Sequence, residues 1–352
     1  MLDDVFTNGR RVFEVNTTAP ATMPIEFSVA AYRLGHSMIR DEYDWNEVFN
    51  GRPGALDKGT LTNLFNFSGK AGHLNPSPNP DLPPPDGQPA ADNLVTIWVA
   101  DWTRLFDFVK DGWPNDFGPH AGGKVNMAHS LDPAMASLLH KLPLGSFGGR
   151  GGPPADDLER NLAFRNLARG RRMRLATAQE VARHFSNLGV ATPILTAKDI
   201  IGPGTSGVDL RGLSKAKKDA LVTATPLWFY VLREAEKAGG KLGPIGGRIV
   251  AETFHRALEA SRTSLLRQPG WHPMVGMHPG GFGMTDLLAF AYDPSKGELR
   301  PVSLTAPKPS NPAPHVGDIG QMLSRAARQG RQGGRQANGR RAARAPAGAD
   351  PA

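Results

Sequence analysis

The stretch that most constrains this chain is Pro24 to Arg40, PIEFSVAAYRLGHSMIR. Pro24 suits the first turn of a helix, where its missing N–H is no loss, and Glu26 suits the positive N-terminal end. Ile25, Val29, Tyr32 and Ile39 recur on one side at helical spacing, while Phe27, Ala31, Leu34 and Met38 occupy the others. A helix apolar nearly all round is predicted to lie inside a domain rather than on its surface. Into it are set Arg33 and His36, three apart and therefore on one face, with Gly35 between them. A buried cation and a buried imidazole both need partners. A histidine hydrogen-bonded within the core is the commoner arrangement. A haem is one group that meets both needs, with iron for the imidazole and a propionate for the guanidinium.

The chain has 352 residues, enough to bury a sizeable core in one large domain. With 41 glycines and 31 prolines it is expected to carry long loops between its helices. Cysteine is absent, which excludes disulfides and Cys-ligated metals. No apolar run is long enough to span a bilayer; the densest, Leu94 to Ala100, is too short. The start, MLDDVFTNGRR, lacks the apolar centre of a signal peptide. The compartment stays open, with secretion expected if a longer parent carries a leader. Net charge is +8, unevenly spread. From Gln321 onward seven arginines stand against Asp350, a net of +6, so residues 1–320 carry only +2. The basic character belongs to the tail.

Along the chain, residues 72–92 (GHLNPSPNPDLPPPDGQPAAD is 72 onward) are too proline-dense for regular structure and read as an exposed insertion. In LVTIWVADWTRLFDF (94–108), Trp98, Trp102 and Phe106 recur at four, the pattern of one buried helix face. MASLLHKL (135–142) reads as a short helix within a Gly/Pro-rich stretch, and His120, His129 and His140 there have no metal-ligand spacing. A helix is expected from Asp157, with Leu158, Leu162, Asn166 and Arg169 along one face. The amide on that leucine stripe requires a hydrogen-bond partner if buried. Thr177 to Glu180 forms a capping box before Val181, Ala182 and Phe185, with His184 outside. Residues 193–224 read as a polar connection. Thr225-Pro226 opens a further helix that Gly239-Gly240 stops.

GPIGGR (243–248) follows a helix rather than a strand, so a tight helix–helix turn is a better reading than a phosphate loop. Residues 248–260 read as a core helix with Ile249, Thr253 and Ala257 in one row, Val250, Phe254 and Leu258 beside it, and His255 off both. His272 and His278, six apart, lack a third ligand nearby. Thr285-Asp286 caps a last helix, DLLAFA, and from residue 293 a Pro-rich and then Arg/Gly/Ala-rich tail is expected to be disordered.

The run EFSVAAYRLGHSMIR resembles the proximal helix of the animal haem peroxidase family, the group of myeloperoxidase and peroxinectin, in a bacterial-type member. The resemblance continues at NLAFRNLARGRRM (161–173), TPLWFYVLREAEKAGGKLGPIGGRIVAETF (225–254) and FGMTDLLAFA (282–291), in the family's order. It implies a mainly α-helical haem-peroxidase domain over residues 1–292, incomplete at the N-terminus. By that resemblance His36 is the proximal iron ligand, Asn166 accepts the N–H of its far ring nitrogen, and Arg33 and Arg169 lie toward propionates of haem b. Such an asparagine orients the ring and strengthens its donation to iron.

The reaction implied is oxidation of a small reducing substrate by hydrogen peroxide. It also needs a distal base and a distal cation. None of the ten histidines lies in a phrase like GQFIDHD, so no catalytic distal residue is identified, and the family's calcium site is not present. The alternative is therefore a catalytically inactive fragment that holds haem, or that binds an anionic partner. The basic tail is suited to weak binding of nucleic acid or anionic surfaces by charge alone. Absent partner helices are expected to leave apolar surface exposed around the His36 helix.

Overall fold

A computed structural model describes residues 11–13, 22–67, 98–119, 123–142, 157–268, 270–271, 281–292 and 298–300. The expected insertion at 72–92, His120, the His272/His278 loop and the chain beyond residue 300 lie outside the described residues. The chain divides into two units, Met1–Leu304 and Thr305–Ala352, and everything described belongs to the first. That unit is mainly helical. Its sheet consists of β1 (Glu42–Tyr43) and β2 (Gly59–Thr60), antiparallel, with Glu42 opposite Thr60. No helix among the described residues is long and apolar enough to cross a membrane.

The segment expected to form one buried helix is instead two tighter and wider turns end to end. Glu26–Ala30 is a π turn, followed directly by a 3-10 helix, Ala31–His36. The change of winding falls at Ala30, whose backbone lies outside the α region (φ −123°, ψ −75°). Nor is the segment buried all round. Phe27, Val29, Ala30 and Ala31 face the core, whereas Ile25 (42% exposed) and Tyr32 (55%) do not. Tyr32 stacks on Phe27 at 4.6 Å and meets Phe254 edge-on at 5.6 Å, so an apolar surface is exposed beside this segment, as expected.

After β2 come α1 (Leu61–Phe67) and, past Trp98, a single turn, α2 (Trp102–Leu105). The single helix expected over 94–108 is not formed in its described part. Asp101 accepts the Thr103 N–H, capping α2, and Phe106 is already extended. The three aromatics consequently separate: Trp98 packs with Val48 and Phe49, while Trp102 and Phe106 lie against Phe108 and Leu288. In 135–142 a 3-10 turn, Ser137–His140, takes the place of the expected helix.

The helix expected from Asp157 is also interrupted. It forms α3 (Asp157–Arg160) and α4 (Leu162–Arg172), because Asn161 turns extended and accepts the Phe164 N–H as a new cap. Leu158 is left exposed. α5 (Ala178–Asn187) begins at the Thr177/Glu180 capping box as read from sequence, with the Thr177 N–H donating to Glu180 at 2.8 Å. The connection after it contains α6 (Ala197–Ile201) and α7 (Lys215–Thr223), each capped by a hydroxyl side chain, Thr196 and Ser214.

The main core is built on α8 (Leu227–Lys237) and α9 (Pro244–Ala260). α8 ends at Gly239 and Gly240, both left-handed (φ 70° and 81°), and α9 starts with Pro244 in its first turn. Tyr230, Val231, Ile245 and Ile249 are essentially inaccessible and pack with Phe27, Ala30 and Ala31. Each such side chain contributes roughly 1.5–3 kcal/mol of burial. Gly246 permits the close approach of the two helices: a Cβ there would lie 2.6 Å from Val231 Cγ1.

Charges inside this pair are neutralised locally. Glu234 accepts the N–H groups of Ile245 and Gly246, filling the α9 N-terminus that GPIGGR supplies, and burial still pushes its carboxyl upward. Arg248 donates to Glu252 at 3.0 Å, and Glu252 also accepts from the backbone of Val12 and Phe13. His255, expected off the packing rows, is buried, 3.6 Å from Glu259, whereas Phe254 and Leu258 of the expected core row are exposed. The last helix, α10 (Met284–Ala291), is capped by Asp286 accepting from Gly283. The fold continues past Tyr292, the expected end: Leu299 is buried and Arg300 donates to Thr103.

Candidate functional site

The 3-10 winding matters for Arg33 and His36, because at three residues per turn side chains i and i+3 eclipse one another. The helix therefore sets the guanidinium and the imidazole in line along one edge. Facing them is α4, whose only buried residue is Asn166. The His36 ring nitrogen Nδ1 and the Asn166 amide nitrogen Nδ2 are 3.0 Å apart. The leucine-stripe amide thus finds its partner in the histidine 130 positions earlier.

The resemblance implied the amide oxygen at that place, and the nearer atom is the nitrogen. In this arrangement the amide donates to Nδ1 and the ring proton sits on Nε2. A half-turn of the amide exchanges its two ends. The oxygen then accepts the Nδ1–H, and the Nε2 lone pair is free to bind a Lewis acid.

The electrostatics around this pair are one-sided. Burial lowers the His36 pKa below its ordinary value, and Arg33 and then Arg169 lower it further, so the imidazole is neutral at neutral pH. Burial likewise lowers the Arg33 pKa, and Arg169 and Arg165 add to the effect. Arg33 Nε is buried without a hydrogen-bond partner. All four residues expected at the site, Arg33, His36, Asn166 and Arg169, are therefore brought together. Arg165 joins them and was not anticipated; its spacing of four from Arg169 on a helix was the available signal. A neutral imidazole held from behind, with guanidinium groups around it, suits a metal carried by an anionic organic group. Among the described residues no group of three or more His, Asp or Glu side chains could hold a bare metal ion.

The end of the segment is fastened by Ser37, which is fully buried. Its hydroxyl lies 2.7 Å from the Asp132 carbonyl, to which it donates, and accepts the Asp132 N–H at 3.0 Å. The His129 N–H donates to the Met38 carbonyl at 3.0 Å. Residues 129–132 thereby clamp the backbone directly after His36. The other described histidines stand apart in character: His129, His140 and His184 are exposed, as expected, and His255 is committed to Glu259.

None of the protein-family models compared with the chain matches it, and no curated protein matches it either.

Proposed function

We propose that the chain is a haem protein of the peroxidase type, with His36 as axial ligand and hydrogen peroxide and a small reducing molecule as its substrates. The observation that carries this reading is the His36–Asn166 pair at 3.0 Å set among Arg33, Arg165 and Arg169. The residues fit the group. The imidazole is neutral, so it can donate a lone pair, and the orphaned Arg33 Nε calls for an acceptor that the protein does not supply. Propionates of haem b would meet Arg33 and Arg169. When bound, haem supplies a redox-active iron with an open coordination position. With its amide turned so that the oxygen accepts the Nδ1–H, Asn166 would hold the ring by its far nitrogen and fix the tautomer whose Nε2 lone pair is free, and Ser37 restrains the backbone that carries the ring.

A second reading, a haem-holding chain without turnover, is favoured by the sequence itself. Peroxide cleavage needs a base and a cation on the far side of the ring, and no histidine lies in a recognisable distal phrase. Both readings are tested by titrating purified protein with haem and following the Soret band beside His36→Ala and Asn166→Leu. A saturable one-to-one shift, lost in His36→Ala and displaced in Asn166→Leu, is the expected result. The same shift in His36→Ala sinks both readings. Peroxide turnover by the wild-type complex then separates the enzyme from the inactive holder.

A further inference from the structure

Helix α4 presents a second face that the His36 site does not use. Phe164, Leu167 and Arg171 follow one another at steps of three and four, and therefore line one side of the helix. Phe164 is 42% exposed, Leu167 38% and Met173, just past the helix, 47%. Arg171, Arg172 and Arg174 are exposed as well and make no ion pair among the described residues. Residues 161–174 hold five arginines and no acid, in a stretch of chain, 1–320, whose net charge is only +2. Everything else in that stretch therefore sums to −3. The helix is a concentrated positive strip on a slightly acidic body.

Favourable interaction with the helix C-terminus accounts for arginines in the last turn. It does not account for Arg174. The α4 C-terminus is a Schellman motif, with the Leu175 N–H bonded to the Gly170 carbonyl at 3.0 Å and the Arg174 N–H to the Arg171 carbonyl at 3.1 Å. The motif needs a left-handed residue between, and that residue is Arg174 (φ 50°), the one non-glycine with positive φ among the described residues. Glycine takes that conformation freely and arginine does not. A charged side chain thus stands at a position whose backbone geometry glycine fits better.

We infer that the face of α4 lined by Phe164, Leu167 and Arg171, with Arg172 and Arg174 at its C-terminal end, docks on an anionic phospholipid surface. Interleaved arginines and apolar side chains match the boundary between headgroups and acyl chains, which accepts both without a fixed geometric partner. Phe164 is the one planar side chain on this face and Leu167 offers none, too little for a platform on which successive nucleobases stack, which argues against nucleic acid. One short helix gives only marginal attachment, and lasting attachment takes two signals. The seven arginines after Gln321 provide the second in the same chain.

The test is flotation of the full chain with vesicles of phosphatidylcholine alone and of phosphatidylcholine with phosphatidylglycerol. Binding is expected only to the anionic vesicles. Reversing the strip with R171E/R172E/R174E should weaken it about tenfold or more, and F164S/L167S should weaken it at unchanged charge. Arg174→Gly separates binding from folding: it should raise the melting temperature by relieving the left-handed arginine, yet weaken vesicle binding. Unchanged binding in the charge-reversed chain would overturn the inference and leave the tail as the sole anchor. So would loss on charge reversal alone, with F164S/L167S unaffected and single-stranded RNA bound as tightly as the vesicles.

Discussion

The α8–α9 pair, with buried charges, and the His36 site, with half-buried ones, treat charge in opposite ways. In the pair, Arg248 faces Glu252, Arg233 faces Glu236 at 2.8 Å, and Glu234 sits on the N-terminus of α9. At the site, Arg33 is drawn away from its ordinary pKa by burial and by Arg169 and Arg165, other cations, and one of its nitrogens is buried without an acceptor. In the first region each of these cations has a carboxylate partner, although Arg233 Nε, like Arg33 Nε, is buried without an acceptor. The second sets Arg33 among other cations. The two regions nonetheless share one core, since Phe27, Ala30 and Ala31 of the site segment pack on α8 and α9.

The comparison is broken most directly by removing one arginine from each region. Arg248→Met should cost about 3–5 kcal/mol, because Glu252 is left buried without its cation. Arg33→Met should leave the melting temperature of the haem-free protein unchanged or slightly raised, and yet weaken haem. Denaturant melts of both variants check this, and equal losses would mean that the contrast is false. Ser37→Ala comes next, at about 1–3 kcal/mol, since the Asp132 N–H loses its acceptor in a buried place.

A smaller effect concerns pH. The folded-state pKa of His36 lies below the ordinary 6.5 of the unfolded chain, so the folded state binds this proton less tightly. Its contribution is complete above 6.5 and is lost as pH falls through the interval below that value. The haem-free wild type should lose stability on acidification in that window more steeply than His36→Gln, in parallel thermal melts. The smallest change belongs to the exposed Lys215–Asp219 pair, where Lys215→Ala should cost no more than about 0.3 kcal/mol.

What could be read from sequence followed how local its cause was. The Thr177/Glu180 box, Pro226 at a helix start and the Gly239-Gly240 stop act within a turn or two, and the structure has each where expected; residues 244–248, read as part of a turn, instead form the first turn of α9 behind Pro244. Asn166 and His36 were each singled out as a polar residue on an apolar face, their pairing came only from the resemblance, and the packing of α4 on the site segment joins them. The winding of that segment was not legible. Its apolar residues have the α period, but inaccessible Ala30 and Ala31 lie tightly against α8 and α9, and the backbone gives way at Ala30. The break at Asn161 was hidden because the leucine stripe runs straight through a residue that prefers to cap. His255 was read off the packing rows, whereas it is buried beside Glu259, which Arg11 also grips from the far end of the chain.

That last connection sets a timetable for making the protein. Val12 and Phe13 donate their backbone N–H groups to Glu252, 240 and 239 positions later, and Arg11 grips Glu259 with both guanidinium ends at 2.7 Å. A ribosome adding about 5–20 residues per second needs roughly ten seconds or more to cover that distance. Throughout that time Val12, which ends in the main core, has no α9 to fold against. Chaperone contact with the nascent chain should therefore persist until residues beyond Glu259 have left the exit tunnel, and ribosome profiling of chaperone-bound chains would reveal where it ends.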